Sequence, residues 1–163
     1  MNIKKSCFTA FMSCLSFILS TFVSFPFVVP FQHFCNVICA VLVGPVYGFA
    51  SALITGCMRM LLTGRPITAI VGAVIGAFLS GIFYNLFRKM IFAVVGEILG
   101  TGFFSALLSY FIMKYGFAVD LTTPFFYIPL FLPACTVGAF LGYAVLILLN
   151  RAGTLSKIRR MLT

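Results

Sequence analysis

The stretch Phe34–Leu62, FCNVICAVLVGPVYGFASALITGCMRMLL, decides the fold. It is apolar for longer than one ordinary membrane span, since about 20 residues cross a roughly 30 Å hydrocarbon core. Gly44-Pro45 divides it, and a proline inside a helix removes a backbone donor and clashes with the preceding turn. The stretch is therefore one kinked helix or two shorter helices joined by a tight turn. Charge separates the two. Lys4 and Lys5 precede the first apolar run, and Arg151, Lys157, Arg159 and Arg160 follow the last. Basic flanks stay cytoplasmic, so both ends belong on one side and the number of spans is even.

Splitting the stretch gives six spans, at about 6–23, 31–43, 46–62, 67–87, 90–113 and 125–149, within one integral-membrane domain over residues 1–163. Lys4, Lys5, Arg88, Lys89, Arg151, Lys157, Arg159 and Arg160, eight of the eleven basic residues, then fall inside. Arg65 and Lys114 fall outside, and Arg59 lies within the third span near its outer end. The expected class is an all-α membrane protein, a compact bundle of six transmembrane helices with both termini cytoplasmic. Its cost is a second span covering only about 20 Å, which requires local thinning, tilt or burial inside the bundle. Lys4-Lys5 and the apolar run behind them resemble a signal peptide, but the run ends in large aromatics without a small-residue cleavage site, so it reads as a retained first helix.

Composition agrees. Of 163 residues 63% are hydrophobic and 8% charged, where soluble domains carry about 25% charged residues. The net charge of +9 sits in short clusters flanking apolar runs, which reads as topology rather than nucleic-acid binding. Six cysteines are present without a C-x-x-C pair, so they read as small packing residues. Small residues recur at four-residue spacing, as in Gly72, Gly76 and Ser80, Gly96 and Gly100, and Ala134, Gly138 and Gly142. Such faces let helix backbones approach closely in lipid. The first span has one too, at Ser6, Ala10 and Cys14, available to the bundle or to a partner.

Polar side chains are costly in hydrocarbon and mark functional sites by default. Gln32, His33 and Asn36 form one such cluster. Gln32 and Asn36 also stand where they could merely cap the helix that follows Pro30. Arg59 and Glu97 are the charges expected inside the membrane. Pairing them is attractive, but Arg59 is near the outer end of its helix and Glu97 in the cytoplasmic half of its own. A tilt or a break at Gly100-Thr101-Gly102 would be needed. A purely structural hydrogen bond is the other reading of Glu97. The loops 24–33 and 115–124 lie on the same outer side and could close over a shallow site.

No phosphate-binding loop G-x-x-x-x-G-K-[ST] occurs, so the chain itself is not expected to hydrolyse ATP. No H-E-x-x-H occurs and His33 has no carboxylate neighbour in sequence, so neither a metal nor another cofactor is expected. Ser80 and Ser105 lie in spans without a nucleophile-elbow context, and no enzymatic residue set assembles.

These features together resemble the substrate-binding S component of an energy-coupling factor (ECF) vitamin transporter. Pro30-Phe31-Gln32-His33, Asn36 and Val43-Gly44-Pro45-x-Tyr47-Gly48 resemble its thiazole-precursor group, the ThiW family. So do Arg59 with Thr63-Gly64, and Gly96-Glu97-x-x-Gly100-Thr101-Gly102. The resemblance spans nearly the whole chain. It implies a bacterial cell-membrane protein that captures hydroxyethylthiazole, a thiamine precursor, at Gln32, His33, Asn36, Arg59, Glu97 and Thr101. It further implies docking onto a transmembrane coupling subunit that carries two ATPases, through the face Ser6, Ala10 and Cys14. That face departs from the alanine pair such proteins carry. Thiamine, its pyrimidine moiety, and a membrane protein that is not a transporter are the competing expectations.

Overall fold

The computed structural model describes residues 2–23 and 29–162. The helices are α1 (Ile3–Phe22), α2 (Pro30–Leu42), α3 (Pro45–Thr63), α4 (Thr68–Phe87), α5 (Met90–Gly116), α6 (Ile128–Arg151) and α7 (Thr154–Leu162). Five of them, all but α2 and α7, are long and apolar enough to cross a membrane. The described residues contain no strand. Exposed Phe11, Ile18, Phe22, Leu61, Phe104 and Leu148 give the bundle an apolar exterior, as expected where lipid replaces water.

The divided stretch forms two helices. Gly44 turns the chain with φ 87°, a left-handed conformation that glycine adopts without steric cost, and Pro45 follows at the first position of α3. A Cβ on Gly48 would lie 3.8 Å from both the Ala40 nitrogen and the Cys39 Cβ, so α3 folds back along α2. The short second span is accommodated by burial. Eleven of the thirteen residues of α2 are buried, because the other long helices surround it. Ser13 of α1 donates to the Ser51 hydroxyl of α3 at 3.2 Å, and Thr55 donates to the Ser13 carbonyl at 3.2 Å.

The small-residue faces are where the helices meet. A Cβ on Gly100 would come within 2.6 Å of the Gly76 Cα, and one on Gly96 within 2.6 Å of the Leu79 carbonyl oxygen. Gly138 and Gly142 of α6 pack on the backbone of α2 at Pro30 and Phe34. On α1 the buried residues are Thr9, Met12, Ser13, Ser16 and Ser20. Ala10 and Cys14 are exposed and Ser6 is half-buried, so the bundle leaves that face open. At the opposite end of the chain, α7 packs Leu155 and Leu162 into the core. The Asn2 side chain donates to the Leu162 carbonyl at 3.2 Å, which brings the two ends of the chain together.

Candidate functional site

The polar residues singled out in the sequence converge on Glu97. Its Oε1 sits 2.8 Å from His33 Nδ1, 3.0 Å from Asn36 Nδ2 and 3.1 Å from Thr101 Oγ1. Asn36 Nδ2 also donates to the Ala73 carbonyl at 3.2 Å, so Glu97 Oε1 ties α2 to α5 and Asn36 extends the network to α4. Each element places its side chain for a local reason. His33 and Asn36 are three apart in α2 and share a face. Glu97 and Thr101 are four apart in α5, where the helix widens into a π-helical segment at Gly100–Ser105, a distortion that recurs at functional sites. Gly76 leaves room on α4, since a Cβ there would meet Thr101 Oγ1 and stand 2.9 Å from Glu97 Oε1.

Arg59 does not pair with Glu97. Its guanidinium donates to Gln32 Oε1, because Arg59 near the end of α3 stands level with the start of α2. Glu97 instead meets His33 and Asn36 of α2. Asn36 meets Ala73 about one and a half turns into α4. Capping does not account for Gln32 or Asn36, for neither side chain caps α2.

Gln32, His33, Arg59 and Thr101 line a cavity of about 290 Å³ together with Val29, Arg65, Thr68, Gly72, Leu130 and Phe131. Asn36 and Glu97 stand behind this lining. Among the described residues, Gln32 Nε2, a donor, and Glu97 Oε2, an acceptor, have no hydrogen-bond partner, as is also true of the buried hydroxyls of Ser16, Thr21, Ser105 and Ser109. Buried polar groups are nearly always satisfied, so the leftover donor of Gln32, on the cavity lining, is suited to a ligand or water that completes it. The lining from Thr68, Ala69 and Phe131 carried no usable sequence signal, since small and aromatic residues are abundant throughout. Phe131 is the aromatic wall, close enough to α4 that a Cβ on Gly72 would lie 3.1 Å from its ring. Of the expected outer loop 24–33, residues 24–28 lie outside the described residues, and residues 30–33 form the first turn of α2 instead. Loop 115–124 contributes nothing to the cavity lining. No group of three or more metal-ligating side chains occurs among the described residues.

Fold and cavity define the class: a multi-pass membrane protein with a small polar-apolar cavity inside its helix bundle. The description of one family, thiamine-precursor transporter protein (ThiW), matches residues 6–152, and the chain belongs to that family. No curated protein and no solved structure matches the chain.

Proposed function

We propose that this protein is the substrate-binding S component of an ECF-type importer in the bacterial cytoplasmic membrane, and that its ligand is hydroxyethylthiazole. In this reading the chain crosses six times with α2 as the short central pass. Both termini lie in the cytoplasm, in keeping with the basic residues gathered there. Partner subunits supply ATP hydrolysis, and the open α1 face at Ser6, Ala10 and Cys14 docks onto the coupling subunit.

The observation that carries the ligand reading is Gln32 Nε2, a buried donor without a partner among the described residues, on the lining of a cavity walled by Phe131. The volume stands at the small end of ligand sites, which run from about 300 to 1,000 Å³. A thiazole is flat and nearly neutral, with one ring nitrogen that accepts and one hydroxyl that donates. Phe131 can stack on the ring. Gln32 or the free ring nitrogen of His33 can address the polar atoms, while Asn36 holds the Glu97 carboxylate in place. Whole thiamine is cationic. Arg59 and Arg65 on the lining disfavour it by like-charge repulsion.

Calorimetric titration of the purified protein with hydroxyethylthiazole tests the reading. The expected result is one-to-one binding that thiamine and the pyrimidine moiety do not compete away. Absence of binding by folded protein removes hydroxyethylthiazole as the ligand.

A further inference from the structure

A second cavity, of about 350 Å³, opens at the end of the bundle that carries both termini. Its lining includes Lys5, Tyr84, Arg88 and Arg159 and the C-terminal residues of α2. The three cations come from three places: the start of α1, the residue that ends α4, and α7. The chain has only two acidic residues; Glu97 is engaged at the ligand site, and Asp120 lies in the loop at the opposite end. The C-terminus of α2 offers the cavity about half a negative charge at most, against three full positive ones. Convergence of like charges is unfavourable, and an anion entering the cavity relieves it.

The frame around these cations is built. The Arg159 guanidinium donates to the Tyr84 hydroxyl and stands 5.6 Å from the centre of its ring. Lys5 stands 5.9 Å from the Tyr47 ring, and the Tyr47 hydroxyl accepts from the Asn2 backbone nitrogen at 3.0 Å. Arg88 has φ 57°. This is the left-handed position that closes a helix and that glycine usually fills. A bulky cation held there at a steric cost indicates a use for its side chain.

We infer that this cavity binds the phosphate group of an anionic membrane lipid, with Lys5, Arg88 and Arg159 as its ligands. Basic pockets between membrane helices recognise such headgroups, and each cation near an anionic surface adds to the attraction. The amphipathic α7, with Leu155 and Leu162 buried and Lys157 exposed, lies where headgroups are found. The inference is independent of the ligand assigned to the other cavity.

The test is native mass spectrometry of the whole protein released from nanodiscs of phosphatidylglycerol mixed with phosphatidylcholine. The expected result is one retained phosphatidylglycerol per protein. Retention falls about tenfold or more in the variant Lys5→Gln/Arg88→Gly/Arg159→Gln. The control Lys4→Gln/Lys157→Gln/Arg151→Gln removes the same charge outside the cavity and keeps the lipid. Arg88→Gly alone, which places glycine at a position suited to it, guards against a triple variant that does not fold, and is expected to weaken retention by itself. Equal loss in the control, or no preference for phosphatidylglycerol in the wild type, overturns the inference. So does displacement of the lipid by millimolar glycerol phosphate, which would make a soluble phosphate the occupant. So would unchanged retention in folded cavity variants whose uptake with the coupling subunits fails, because the cations would then serve an acidic protein surface.

Discussion

The two ends of α2 face opposite problems. At its N-terminal end His33 and Asn36 enter a network centred on Glu97 Oε1, in which polar groups from α2, α4 and α5 bond to one another. At its C-terminal end Lys5, Arg88 and Arg159 line one cavity with no carboxylate side chain among the described residues of that lining. The same shortness creates both regions. A helix of thirteen residues leaves space above and below itself within a bundle of longer helices. The first space is organised by internal hydrogen bonds and so depends on every member. The second is organised by charge and tolerates single losses better.

That contrast is most severely tested by Glu97→Ala. Removing the carboxylate strands three donors, His33, Asn36 and Thr101, in a buried site. Each buried group left without its hydrogen-bond partner costs about 1–3 kcal/mol, so the expected outcome is a large fall in thermal stability together with loss of ligand binding. A melting curve on the detergent-solubilised protein measures it. Glu97→Gln keeps the shape and an acceptor oxygen and is expected to recover most of the stability without recovering full affinity.

Gly76→Ala comes next. The added methyl must displace Thr101 Oγ1 and the Glu97 carboxyl group, and overpacking of this kind costs roughly 1–3 kcal/mol. Ligand affinity by calorimetry is expected to fall. An unchanged affinity would show that the network is not held by the close approach of α4 and α5. His33→Ala and Asn36→Ala separate contact from positioning. Each forfeits a buried hydrogen bond worth about 1–3 kcal/mol to the partner left behind. His33 lines the cavity and Asn36 does not. His33→Ala is therefore expected to reduce affinity more than stability, and Asn36→Ala both alike.

The difference between the two ends also explains what the sequence made legible. Gln32, His33, Asn36, Arg59 and Glu97 stand out because polar groups are expensive in lipid, and all five gather around one site. The partners among them did not follow. Arg59 goes to Gln32 and not to Glu97, because the depth of α2 is set by tertiary burial that no local pattern records. Phe131 and Gly72 were unreadable among so many similar residues. The helix α7 was legible in principle, for Leu155, Ile158 and Leu162 recur at helical spacing, but the basic residues between them read as a simple flank. The basic cavity depends on the meeting of α1, α4 and α7, and so had no signature in any one segment.

The smallest effect on the isolated protein is expected at the face that belongs to neither cavity. Ala10 and Cys14 are exposed on α1, whereas Ser13 one step around the helix bonds to α3. Surface substitutions away from such contacts change stability by about 0.5 kcal/mol or less. Ala10→Leu should therefore leave melting temperature and ligand affinity unchanged. If this face docks onto a coupling subunit, the same substitution blocks close helix approach and abolishes uptake in cells that carry the partner subunits. Ser13→Leu is expected to behave in the opposite way, with the bundle destabilised in the absence of any partner. Uptake that survives Ala10→Leu would move the docking surface elsewhere, and the basic end of the bundle would then be the next place to look for it.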